Sequence, residues 1–143
     1  MLSEVFAMEV KVDDYSIPTN LKYTKTHEWA ASVNGSFKIG VTDYAQKSLH
    51  EVVYVELPEV GKKVKAGETV AVLESTKAIA DVYSPVDGEV VEVNAALEGS
   101  PELINKDPYG EGWICVIKAE GEPKDLLTPE QYAELIRKEL SKS

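Results

Sequence analysis

A chain of 143 residues with 15 Lys+Arg against 25 Asp+Glu carries a formal net charge of −10, the wrong sign for a nucleic-acid partner, because neutralising phosphates takes a surplus of Lys and Arg. With 43% hydrophobic residues, this length suits one domain that buries roughly two-thirds of its unfolded surface without cross-links. One cysteine, Cys115, beside only His27 and His50, excludes an intramolecular disulfide and leaves too few ligands for a closed structural zinc cage, and no apolar run approaches the length of a membrane span.

Residues 1–14 mix Glu4, Glu9, Asp13 and Asp14 with scattered apolar residues. They hold no arginine, no basic start and no continuous apolar stretch, so they resemble neither a transit nor a signal peptide. Met8 offers an alternative start, and the expected address is a reducing cytoplasm. From residue 21 to 119 the chain reads as short β-type runs punctuated by Gly, Pro and Asn. Runs at 28–33 and 37–41 flank Asn34-Gly35, the strongest short hairpin signal. Residues 43–49 then read as a brief helix, Asp43 and Gln46 fitting a capping box. A strand at 52–57 follows, closed by Pro58.

The middle carries a weak internal repeat. Val60-Gly61, Val64, Gly67-Glu68 and Val70 set a rhythm of strand, glycine turn and strand, and Pro85, Val86, Gly88-Glu89, Val90 and Val93-Asn94 repeat it. Two similar β units thus flank one hairpin, with Ser75-Thr76-Lys77-Ala78 at its tip. Many short strands at this spacing predict a mainly β fold, an antiparallel sandwich or flattened barrel. In the tail, Thr128-Pro129-Glu130-Gln131 combines an N-cap threonine, a first-turn proline and a capping-box glutamine. Tyr132, Leu135, Ile136 and Leu140 then make one apolar stripe, so residues 129–141 should form an amphipathic helix docked on the β domain.

The hairpin tip is the unusual segment. Tight turns recruit Gly, Asn, Asp or Pro for their backbone angles, and this tip has none of them. A lysine at such an apex projects its amine beyond both faces of a sheet, which suits covalent attachment of a long arm; otherwise Lys77 is one more solvated lysine. Asp107-Pro108-Tyr109-Gly110-Glu111-Gly112-Trp113 lacks the lysine and helix of a phosphate loop. It reads as a turn feeding a strand in which Trp113, Cys115 and Ile117 share a face, leaving Cys115 a buried apolar residue.

Four blocks, Glu74-Ser75-Thr76-Lys77-Ala78 with Asp81-Val82-Tyr83-Ser84-Pro85 and Gly88 to Asn94; His27-Glu28-Trp29; Val41-Thr42-Asp43-Tyr44-Ala45-Gln46 leading to Val55-Glu56-Leu57-Pro58; and the segment from Asp107 to Trp113, resemble the H-protein family of glycine cleavage systems over about residues 20 to 140. The resemblance implies a lipoyl/biotinyl-domain-like barrel-sandwich hybrid with a short internal helix and a C-terminal helix. It makes 15–143 a single carrier domain, with 1–14 an extension outside it.

It also implies a non-catalytic monomer with lipoate on Lys77. The arm would take the aminomethyl group of glycine from a decarboxylase to an aminomethyltransferase and be reoxidised by dihydrolipoyl dehydrogenase; lipoyl-attaching enzymes are further partners, whereas nucleic acid, membrane and metal are not. Tethering lets one group visit several active sites at high effective concentration. The implied arm groove draws on Thr26, Glu28 and Asp81, with His27 in the same segment, and Glu28 would hold the cationic amine. Two positions depart from the family, His50 where glycine is more usual and Ala80 for a serine. A lipoyl carrier serving sulfur oxidation or lipoyl relay fits the same residues. Biotin carriage fits less well, because methionines do not flank Lys77. An enzyme using Cys115 or His27, or a bare interaction module, completes the alternatives.

Overall fold

The computed structural model describes residues 8–123 and 125–142. In chain order its elements are β1 (Glu9–Val12), β2 (Tyr15–Pro18), β3 (Lys22–Tyr23), β4 (Glu28–Val33), β5 (Ser36–Val41), α1 (Asp43–Leu49), β6 (Val52–Glu56), β7 (Lys63–Val64), β8 (Thr69–Ser75), β9 (Ile79–Tyr83), β10 (Gly88–Val93), α2 (Ala96–Gly99), α3 (Leu103–Lys106), β11 (Cys115–Ala119) and α4 (Pro129–Ser141). The strands form three sheets with the orders β1-β2, β3-β4-β5-β11-β10-β7 and β6-β8-β9, every pairing antiparallel.

Strand periodicity explains how two cores arise. Successive residues of β4 point to opposite sides, and both sides are covered. Ala30 joins Ile39, Leu73, Val82, Val90 and Ile117 in a core shared by the two larger sheets. Its neighbour Trp29 joins Val12, Ile17, Tyr23, Tyr132 and Ile136 in a second core beneath α4. Trp29 needs room there: a Cβ on Gly40, its cross-strand partner, would stand 2.7 Å from the indole. The Tyr23 and Tyr132 rings stack with centroids 4.7 Å apart, which adds about 1 kcal/mol to their burial. Part of the sequence-assigned extension, β1 with Val12, thus packs against β2 and the second core.

The Asn34-Gly35 hairpin forms as its residues dictate, with φ of 51° and 81°, the positive pair that a two-residue turn between twisted strands requires. The tail helix also matches its expected bounds. Gln131 N donates to Thr128 Oγ1 at 3.1 Å and Thr128 N donates to Gln131 Oε1 at 2.9 Å, completing the capping box, and Tyr132, Ala133 and Ile136 are buried.

Three expectations need correcting. The cap of α1 is Thr42, extended at φ −78° and ψ 168°, whose hydroxyl accepts from Ala45 N; Asp43 lies inside the first turn, where its Oδ1 accepts from Gln46 Nε2 at 2.8 Å. Trp113 is outside β11. Its amide still closes the preceding turn on Gly110 O at 3.1 Å, and its ring packs on the second core, whereas Cys115 and Ile117 face the first. Finally, the one-turn helices α2 and α3 interrupt a stretch read as short β-type runs, each placing one buried side chain, Leu97 and Ile104, in the core.

Candidate functional site

The β8–β9 tip satisfies its own backbone. Ser75 N donates to Ala78 O at 2.8 Å and Thr76 N to Glu51 O at 2.9 Å. The Lys77 and Ala78 amides both donate to Ser75 Oγ, at 3.1 and 2.9 Å. Ser75 therefore supplies the turn chemistry that a search for Gly, Asn, Asp and Pro overlooks, since serine hydroxyls mimic a backbone turn. No residue from Ser75 to Ala78 has a positive φ. Lys77 is exposed at the apex, and its Nζ meets Ser48 O at 3.3 Å, a long and exposed bond whose loss costs little.

Glu28, at the start of β4, is only 1% exposed. Its Oε1 accepts from the Thr24 and Thr26 hydroxyls and its Oε2 from Tyr83 N at 3.0 Å. Among the described residues no cation stands within ion-pair distance of it. Burial raises the Glu28 carboxyl above its ordinary pKa, and those hydroxyl and amide donors pull it partly back. A cavity of about 290 Å³ adjoins the carboxylate, with Thr24, Lys25, Thr26, Tyr83, Ser84 and Asp125 in its lining. Three donors satisfy the buried carboxyl's hydrogen bonding but bring it no full positive charge, so a cationic group in this cavity would offset the remaining cost of burying the charge.

Thr26 and Glu28 thus come together at this cavity. Asp81 stands apart: it is exposed in the middle of β9, opposite Val72, and does not line the cavity. His27, at φ 74°, turns the other way. Its Nδ1 meets Tyr132 Oη at 2.8 Å and its Nε2 meets Glu139 Oε1 at 3.3 Å, so it belongs to the α4 junction. Thr24, Ser84 and the Tyr83 amide are additions. The alternation Thr24-x-Thr26-x-Glu28 was a usable signal for the first, because a spacing of two puts side chains on one side of an extended chain. Cys115 is fully buried and burial pushes its thiol up to about 12, which leaves almost no thiolate at neutral pH. No group of three or more His, Cys, Asp or Glu side chains among the described residues is arranged to hold a metal.

Two antiparallel sheets around one core, with a single lysine raised at a hairpin apex, make this a lipoyl-domain-like β-sandwich. The family described as Glycine cleavage H-protein matches residues 21–139, and the chain belongs to that family. It is 53% identical over 140 residues to the probable glycine cleavage system H protein of Aeropyrum pernix, covering 96% of this chain and 98% of that one. Against the glycine cleavage system H protein of Rubrobacter xylanophilus it is 54% identical over 123 residues, 86% of this chain and 97% of the other. The crystal structure of a glycine cleavage system H protein from Mycobacterium marinum superposes with a TM-score of 0.76 at 40% identity, covering 85% of this chain and 99% of that one.

Proposed function

We propose that this chain is the lipoyl carrier of a glycine cleavage system, not itself catalytic, with lipoate in amide linkage on Lys77. The observation that carries the reading is the tip itself: all four amides from Ser75 to Ala78 are bonded within the protein, so what the apex presents is the exposed Lys77 amine, held only by its long bond to Ser48 O. When bound, lipoate would supply a dithiolane able to take up the aminomethyl group at glycine decarboxylase, give it to an aminomethyltransferase acting on tetrahydrofolate, and be reoxidised by dihydrolipoyl dehydrogenase. Acylation removes the charge of Lys77, which lets a long arm lie against apolar surface.

The rest of the site fits such an arm. Ile79, Asp81 and Tyr83 alternate onto one face of β9, and the strand from Ile79 to Tyr83 is about 13 Å long at ~3.3 Å per residue. A lysyl–octanoyl chain is of comparable length, so the residues that would hold it along β9 are Asp81 and Tyr83, with Glu28 at the far end through its bond to Tyr83 N. There the buried Glu28 carboxylate, oriented by the Thr24 and Thr26 hydroxyls, would accept hydrogen bonds from the amine of the cargo, and the cavity would hold water away from a labile group. Partners are the decarboxylase, the aminomethyltransferase, the dehydrogenase and the enzymes that attach lipoate. The carrier works as a cytoplasmic monomer, in one domain that also takes in β1, which pairs with β2 and buries Val12 in the second core. No helix among the described residues is long and apolar enough to cross a membrane.

Intact mass and peptide mapping of chain from a lipoylation-competent host test this directly. The expected result is a lipoyl increment confined to Lys77. A Lys77 still bare after treatment with lipoate ligase and ATP overturns the carrier. Transfer of glycine carbon by the purified decarboxylase then separates glycine cleavage from another lipoyl-dependent pathway.

A further inference from the structure

The turn between α1 and β6 is built under strain beside the hairpin tip. His50 has φ 64° and ψ −149°, a region that only glycine adopts freely, and such a conformation persists only where its surroundings over-determine it. Here the surroundings converge on one side chain from α3. Asn105 Nδ2 donates to His50 O at 2.7 Å and to Gln46 Oε1 at 3.0 Å, while Asn105 Oδ1 accepts from Val52 N at 2.9 Å. That amide thereby ties the last turn of α1, the strained residue and the first amide of β6 into one piece. The other side of the same turn faces the tip. Glu51 O accepts from Thr76 N at 2.9 Å, Ser48 O accepts from Lys77 Nζ, and Val52 pairs with Ser75.

We propose that Asn105 is a positioning residue for modification of Lys77, bracing the His50 turn against which the hairpin tip is seated. The proposal rests on Lys77 being the lipoate acceptor. Asn105 does not touch the amine; it acts through the Glu51 carbonyl that holds Thr76 N. An attaching enzyme must recognise the tip in one geometry. When only a fraction of chains hold that geometry, apparent affinity falls by the same fraction, while turnover at saturation is unchanged.

Asn105→Asp keeps the side-chain shape and the acceptor for Val52 N but removes both donors. In the unmodified chain, exchange of the Thr76 amide should accelerate about tenfold. With purified lipoate ligase, ATP and lipoate, KM for the chain should rise about tenfold with kcat unchanged. His50→Gly relieves the strain that the brace holds, so adding it to Asn105→Asp should return both values to within about twofold of the parent. A merely structural role lowers the melting temperature with no split between KM and kcat and no rescue by glycine, and that result overturns the proposal. If Asn105→Asp does not fold, the native chain still decides: the Val52 and Thr76 amides should show protection within about threefold of each other, and a protected Val52 beside an open Thr76 overturns the brace. An unmodified Lys77 in the parent chain refutes the carrier reading instead and leaves the exchange results to judge the brace.

Discussion

The tips at Asn34-Gly35 and Thr76-Lys77 are both short turns between antiparallel strands, and they are held by opposite means. The first is self-sufficient, since Asn34 and Gly35 tolerate the positive φ it demands. The second uses no positive φ; it leans on the Ser75 hydroxyl and on the Glu51 carbonyl of a neighbouring turn. That neighbour, not the tip, carries the strained residue, His50. Where a lysine must occupy an apex, the conformational cost of the turn is moved to a residue next door.

This contrast can be broken from either side. The largest effect is chemical: Lys77→Arg should abolish lipoylation, because a guanidinium does not accept the acyl group, while the melting temperature stays at the parent value; intact mass and a thermal melt read both. Next is Asn34→Val, which forces a β-branched residue to φ 51° and should cost about 2 kcal/mol in chemical denaturation. The same valine at exposed Thr76 should stay within ~0.5 kcal/mol, since its angles are ordinary and its amide still reaches Glu51 O. Equal losses at the two tips would refute the comparison.

Ser75→Ala should cost about 1 kcal/mol by leaving two tip amides to water. His50→Gly should gain a similar amount, about 1 kcal/mol, by releasing strain; a loss there would mean that the turn is not strained. The smallest expected effect is in pH. Burial lowers the His27 pKa, with Glu139 opposing. The unfolded chain therefore binds more protons just below the ordinary imidazole value of about 6.5, and stability declines as pH falls through it, levelling off below the depressed folded value. Glu28, raised by burial, acts with the opposite sign: the folded chain holds its proton longer, so its contribution is lost as pH rises from the ordinary carboxyl range through the raised value. Melts of the parent and His27→Gln between pH 8 and about 5.5 should differ in slope, and identical slopes would remove His27 from the account.

How much could be read in advance differs by kind of signal. Asn34-Gly35, the Thr128 cap with Gln131 and the tail stripe each act over a few residues, and each appears where expected. The helix cap shows the limit: Thr42 and Asp43 are both good caps, and only the backbone angle at Thr42 selects between them. Trp113 packs on the second core because β4 buries both of its faces, and His27 turns to α4 because that helix supplies Tyr132 and Glu139 from more than a hundred residues away.

By itself the sequence determined the strand rhythm, two turns, two helices and an apical lysine, because those depend on propensity, periodicity and capping between near neighbours. Only the tertiary structure decided that Glu28 is buried on Tyr83 N across 55 residues, that Asp81 stays outside that cavity, and that Asn105 from α3 holds the His50 turn under the tip. Those outcomes rest on hydrogen bonds and burial between segments far apart in the chain, and no local preference of either partner encodes them.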